Sequence, residues 1–299
     1  MKKLSLLFLI TVLIATIAFV GCKKEAPLGS EENPIVWSFV PSGDTEQISA
    51  GAKEVAQMIY DKTELYVETN VATEYAGVIE ALSSDPPSAH MSSLATFSYV
   101  MAADRGVSEA ALISVRYGTP FYNGQIIAQT GSGISKVEDL KGKSFARPDP
   151  FSTSGWVIPM LTMRAAGVDP DRDLTEIVDA GGHTAVASAV YNGDVDAGAT
   201  YVDARGNIEG DHPDVMDKVA VIAVSEDIPN DGVQFHPSVP EELREELITA
   251  ILEIIATDEG QEAFNKAYQW DELERHGDEF YDPFRQVLQA SGLDVEDLM

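Results

Sequence analysis

Cysteine is almost missing from this chain: 299 residues contain one, Cys22. A single thiol closes no internal disulfide, so a small disulfide-stapled scaffold is excluded. Basic side chains are also scarce, with 20 Lys and Arg against 49 Asp and Glu, a formal net charge of −29. Binding to nucleic acid requires cations over phosphates, so nucleic acid is excluded as a partner. Electrostatic docking on anionic lipid is disfavoured for the same reason, and the surface charge is read as serving solubility or a saline habitat. The five histidines show no metal-ligand spacing. The acids of 203–217, "DARGNIEGDHPDVMD", lack the periodicity of a calcium loop and read as a solvated segment. No metal and no cofactor is expected. There is no GxxxxGK[ST] phosphate loop, no GxGxxG after the first strand and no repeat of 20–50 residues.

What is present begins with an export signal. Met1-Lys2-Lys3 is a cationic start, Leu4 to Val20 is apolar apart from Ser5, Thr11 and Thr16, and Gly21 precedes Cys22. A lone Cys directly after a small residue at the cut is the pattern of a bacterial lipoprotein, its thiol diacylated. The competing readings are an ordinary cleaved signal and a transmembrane anchor, and a mostly apolar run of 17 residues falls slightly short of a span. Residues 1–21 are therefore assigned as signal peptide and 22–33, "CKKEAPLGSEEN", as a flexible tether. The mature chain loses Lys2 and Lys3, leaving 18 basic against 49 acidic side chains.

From Pro34 short apolar runs alternate with amphipathic stretches. "IVWSFVP" (35–41) predicts a buried strand, "DTEQISAGAKEVAQMIYDKT" (44–63) a helix capped by Asp44 or Thr45, and "GQIIAQT" (124–130) a strand. "SFARPD" (144–149) predicts a strand followed by a helix at "GWVIPMLTMRAAG", and the tail from Pro240 is mostly helical. Alternation of this size predicts α/β architecture with parallel sheets in two lobes.

The most informative stretch is "PDPFSTSGW" (148–156), at a strand–loop–helix junction. Ser152, Thr153 and Ser154 followed by Gly155 admit two readings. One is plain helix capping. The other is an anion held by hydroxyls and free N–H groups at the helix start, with Gly155 allowing close backbone approach. Neutral donors of this kind suit an oxyanion in an acidic protein. "HMSSLATFSY" repeats the theme with Ser92 and Ser93 ahead of another helix, again with capping as the plain alternative. His183 follows Gly181-Gly182 at a helix start, and Tyr75, Tyr122, Asp203 and Asp231 lie beside predicted strands. Singly, each of these reads equally as core, rim or turn. Ser154, His183 and Asp203 suggest a hydrolase triad, but Ser152 stands where a nucleophile elbow needs glycine, so no enzyme is expected.

Taken in order, "FVPSGD", "EYAGVIEAL", "FYNGQIIAQ", "SGISKVEDLKGKSFARPDPFSTSGWVIP", "GGHTAVASAVYNGDVDAGA" and "SEDIPNDG" give the chain a resemblance, over roughly 35–255, to the substrate-binding proteins of phosphate/phosphite/phosphonate ABC importers. The resemblance implies an α/β, bilobal, type II-like periplasmic-binding-protein fold with two hinge crossings. Lobe one would comprise 34–120 plus 225–299 and lobe two 121–224. It implies a phosphorus oxyanion clamped between lobes, ABC permease subunits as partners, a monomer, and an extracytoplasmic location. Sensory presentation of ligand, or another anion such as a sulfonate, are the alternatives on the same fold. By the resemblance, Ser152, Thr153, Ser154 and Gly155 hold the phosphoryl oxygens, His183 donates to the oxyanion, and Tyr75 and Tyr122 contact ligand. Asp231 sits at the return crossing, and Asp203 lies where some members carry an acid that reads a ligand amino group. "SDPPSAHMSS" departs from the family's Gly-x-x-Asp turn, with Ser92 and Ser93 in place of Gly-Pro-like residues. A carboxylate such as Asp231 beside an oxyanion favours a ligand that keeps a proton or brings an ammonium group.

Overall fold

A computed structural model describes residues 26–292. The signal peptide, Cys22 and the first residues of the tether lie outside them. Residues 26–33, expected to belong to a loose stem, instead make a turn on the first lobe. Gly29, in left-handed backbone at φ 91°, donates to Asn33 O at 2.8 Å and its carbonyl accepts from Tyr66 N–H.

Two sheets form the frame. Strands β1 (Ile35–Phe39), β2 (Val67–Val71), β3 (Met91–Ser93), β4 (Glu109–Val115), β12 (Gly232–Phe235) and β13 (Glu272–Arg275) make the first, in the order β13-β4-β12-β3-β1-β2. The second contains β6 (Gly124–Gln129), β7 (Ser144–Arg147), β8 (Glu176–Asp179), β9 (Ala197–Tyr201) and β10 (Val219–Val224), in the order β10-β6-β9-β7-β8. Two short strands, β5 (Phe121–Tyr122) and β11 (Ile228–Pro229), pair antiparallel where the chain passes out to the second sheet and returns. The fold is thus the expected bilobal α/β one, with a correction to the sheets. They are parallel only at β3-β1-β2 and β9-β7-β8, and antiparallel elsewhere. β6 and β12, the strands entered from the two crossings, run against their neighbours, and β13 adds a further antiparallel pair on β4.

Helices follow the apolar period. α1 (Thr45–Thr63) buries Ile48, Ala52, Val55, Ala56 and Ile59, one face of a 3.6-residue repeat, and Asp44 caps it by accepting Gln47 N–H at 2.9 Å. α2 (Tyr75–Ser83) and α3 (Thr96–Asp104) follow β2 and β3 in the first lobe. α4 (Ile158–Ala165) and α5 (His183–Asn192) belong to the second, and α6 (Glu241–Ile255), α7 (Asp258–Tyr268) and α8 (Asp282–Ser291) close the chain. Apolar packing is continuous across the lobes on one side: Tyr75, Leu82 and Phe97 join Phe145, Trp156 and Met160 in one buried cluster. Each such fully buried large apolar side chain contributes about 1.5–3 kcal/mol. Among the described residues no helix is long and apolar enough to cross a membrane.

Candidate functional site

Between the lobes lies a cleft of about 1010 Å³, with walls from both lobes. Its inner end is the stretch after β7. Asp149 folds the loop by accepting Phe151 N–H at 2.7 Å, and Ser152 then caps a helical start. That start is a π turn over Thr153–Val157, wider than an α turn: both Trp156 N–H and Val157 N–H reach Ser152 O at 3.0 Å. Such turns recur at functional positions because they splay the first N–H groups. The amides of Thr153 and Ser154 are those a helix leaves without an intrahelical acceptor.

His183 meets this turn from the start of α5. Its Nδ1 accepts Tyr201 N–H at 3.2 Å, so the ring proton sits on Nε2, 3.3 Å from Ser152 Oγ. Ser152 Oγ also accepts Gly155 N–H at 3.2 Å. With two N–H groups donated to it, this hydroxyl keeps its own proton to offer into the cleft. Burial pushes the His183 pKa down to about 3, so the ring is a neutral donor at physiological pH. Burial likewise raises the phenols of Tyr75 and Tyr122, which line the same space and stay protonated. Ser154 lines it too, beside the Tyr122 phenol.

The histidine carries a stability consequence. Its folded pKa lies below the unfolded value of 6.5. Below pH 6.5 the unfolded chain takes up a proton that the folded chain refuses, so stability drops as pH falls from 6.5 toward 3. The slope is at most about 1.4 kcal/mol per pH unit. We expect His183→Gln to remove about 1.6 kcal/mol of the loss between pH 6.5 and 5. Urea unfolding of both proteins across that range checks this; parallel curves would refute it.

Not every candidate reaches the cleft. Thr153 turns its hydroxyl away to accept Phe97 N–H at 2.8 Å, tying this loop to the first turn of α3. Gly155 acts by making room: a Cβ there would lie 2.3 Å from Pro148 Cδ. Ser92 and Ser93 sit on β3 inside the first sheet, not at a helix start. Ser92 Oγ donates to Gln234 Oε1 at 3.0 Å and Ser93 Oγ accepts Trp37 Nε1–H at 3.1 Å, so both hydroxyls are spent on internal packing. Asp203 lines the cleft, but its carboxylate takes Arg205 Nε–H and Gln125 Nε2–H, each at 2.9 Å. Burial opposes its charge, yet Arg205 and Gln125 outweigh burial and the net shift is downward.

Asp231 is at the crossing, as expected, but not as a lone carboxylate. Arg116, which sequence reasoning missed, grips it through Nη1 at 2.6 Å and Nη2 at 3.1 Å, and Ser114 Oγ adds a bond at 3.1 Å. The signal was a cation closing the apolar strand "ALISVR" in a chain poor in cations. Asp149 was missed as well: its Oδ2 accepts Tyr75 N–H at 3.1 Å, so a second-lobe carboxylate caps a first-lobe helix. The cations on the cleft wall are both committed, Arg116 to Asp231 and Lys266 to Glu54. Of the four carboxylates on the wall, Asp231 and Asp203 are paired with arginines, while Asp44 caps a helix and Asp211 makes no ion pair among the described residues.

A family model described as "ABC transporter, phosphonate, periplasmic substrate-binding protein" matches residues 37–281. The chain belongs to this family. Its members bind substrates for transport and are not enzymes. Of the triad Ser154, His183 and Asp203, the Nε2 of His183 faces Ser152 and Asp203 is held by Arg205. A phosphate-import protein of Mycolicibacterium smegmatis is 28% identical over 177 residues, covering 56% of this chain and 54% of that protein. The chain thus aligns with about half the length of that relative. A phosphonates-binding periplasmic protein of Escherichia coli is 23% identical over 246 residues, 79% of this chain and 72% of that one. Among solved structures, the binding-protein component of an ABC phosphonate transporter from Pseudomonas aeruginosa superposes with a TM-score of 0.78 at 22% identity, covering 89% and 87% of the two chains. A Prochlorococcus marinus protein in complex with methylphosphonate gives 0.75 at 14% identity, covering 86% and 97%. At these identities the superpositions speak for the fold.

Proposed function

We propose that this protein captures a phosphorus oxyanion (phosphate, phosphite or a phosphonate) in the interlobe cleft and delivers it to ABC permease subunits as a lipid-anchored receptor. The observation that carries the reading is the hydroxyl of Ser152, oriented by the Nε2–H of His183 at the start of the π turn whose first amides a helix leaves without an acceptor. These are donors without formal charge, suited to an oxyanion in a protein of net charge −29. Asp231 is paired to Arg116 and Asp203 to Arg205, so an ammonium group on the ligand would have to be met by Asp44 or Asp211, the other carboxylates on the wall. The ligand lowers the free energy of the closed state by its differential affinity for it.

Thermal unfolding with phosphate, phosphite, methylphosphonate, 2-aminoethylphosphonate, sulfate and a sulfonate is the test. The cognate ligand at 100 times its dissociation constant adds about 2.7 kcal/mol of stability. Ser152→Ala is expected to weaken that ligand about 10- to 150-fold, the affinity equivalent of one charge-assisted hydrogen bond. No shift with any phosphorus compound, or a shift only with the sulfonate, would overturn the ligand class. The lipid anchor rests on Cys22 alone, and the intact mass of protein extracted from membranes decides it: an unmodified Cys22 thiol would end that part of the proposal.

A further inference from the structure

One phosphoryl group occupies a small part of a cleft of about 1010 Å³, a volume at which pockets enclose drug-sized molecules. The space is not simply a gap between parted lobes, because the lobes already touch. His183 N–H donates to Ser42 O at 3.1 Å, Phe97 N–H to Thr153 and Tyr75 N–H to Asp149. The same cleft is also walled by Tyr117, Tyr201, Asn207, His212 and Gln269, and this part of the wall is termed the outer chamber.

Two of these wall residues hold left-handed backbone although neither is glycine: Tyr117 at φ 54° and Gln269 at φ 57°. That conformation costs about 1–2 kcal/mol per residue, and such outliers concentrate at ligand clamps. At Tyr117 the chain fixes the backbone firmly. Its N–H donates to Asp271 Oδ2 at 2.8 Å, and its neighbour Arg116 is locked on Asp231. Yet the side chain so positioned is 85% exposed, the most exposed large apolar residue described. A ring with a free face, carried on a fixed backbone at the cleft wall, is a surface for stacking. Across the chamber Tyr201 is held against His183, ring centroids 4.7 Å apart, with its hydroxyl accepting Asn207 Nδ2–H at 2.7 Å. The second aromatic wall is thus tied directly to the residue at the oxyanion end.

Resting on the oxyanion reading above, we infer that the outer chamber holds the organic substituent of the ligand, and that the substrate class is a phosphonate bearing a planar ring, stacked on Tyr117. Calorimetric titration of the purified protein with phenylphosphonate and methylphosphonate tests this. Phenylphosphonate is expected to bind about fivefold tighter, the gain of one aromatic contact. The ratio should fall to about one in Tyr117→Gly and persist in Tyr117→Phe, since both keep the oxyanion end and only the first lacks a ring. Glycine relaxes the left-handed backbone, so that variant is expected to fold at least as stably as the parent. Methylphosphonate binding as tightly as phenylphosphonate, or a ratio indifferent to Tyr117→Gly, overturns the inference while leaving the oxyanion reading standing. Binding of neither compound overturns both.

Discussion

Gly155→Ala is expected to abolish ligand capture while leaving the protein folded. The added methyl would lie 2.3 Å from Pro148 Cδ, 2.5 Å from Pro148 Cγ and 2.9 Å from Ser152 Oγ. None of these can yield cheaply. The proline ring is stiff, and Ser152 Oγ is pinned by His183 and by the amide of residue 155 itself. Relief must come from moving the π turn, which carries the amides of Thr153 and Ser154 and the hydroxyl that shares their target. Overpacking of this sort costs about 1–3 kcal/mol of stability. The larger effect falls on binding, because donors displaced by a fraction of an ångström lose their common focus. We expect affinity for the cognate oxyanion to fall at least about a hundredfold, close to 3 kcal/mol. Titration of Gly155→Ala beside Ser154→Ala separates geometry from donor loss. An alanine at 155 that binds like the parent would show that the turn does not hold the ligand.

The parts of this site visible in the sequence are those written by local spacing. Ser152 to Gly155 follow a strand and precede a helix within ten residues, and His183 follows a glycine pair that can only be a turn. Their elements fell within a residue or two of expectation because an apolar period and a cap residue define them. Ser92 and Ser93 carried the same local pattern and went elsewhere. The decisive partners were Gln234 and Trp37, 142 and 56 residues away, which no short window contains. The same distance hid the pairing of Arg116 with Asp231 and the capping of Tyr75 by Asp149. The sheets were misjudged for a related reason. β12 is four residues long and β13 reads "ELER", charged as an edge strand should be, so neither announces a strand by hydrophobicity. Both are antiparallel additions made by the returning chain, and topology rather than sequence period places them.

Arg116→Gln is expected to produce the largest loss of stability of any single change at this site. The Arg116 and Asp231 side chains are 16% and 14% exposed, and they face each other at the two crossings, one just before β5 and the other just after β11. Arg116 also donates to Asn230 Oδ1 at 2.8 Å and to Tyr268 O at 3.1 Å, so one guanidinium ties both crossings to the end of α7. Glutamine keeps some of these bonds but leaves the Asp231 carboxylate without its cation. Removing one partner of a buried pair costs about 3–5 kcal/mol, far more than the pair itself contributes. The double substitution Arg116→Met with Asp231→Leu removes both charges and is expected to recover most of that stability, read from urea midpoints at an unchanged m-value. Binding follows a different course. Asp231 lines the cleft, and its repulsion of an oxyanion is offset only while Arg116 holds it. Arg116→Gln should therefore bind phosphorus oxyanions more weakly than the parent even at temperatures where it is fully folded, and Asp231→Asn should not share that penalty. If Arg116→Gln binds as well as the parent, the guanidinium is a hinge fastener alone; if it is as stable as the parent, the carboxylate finds solvent that a 14% exposed side chain does not offer.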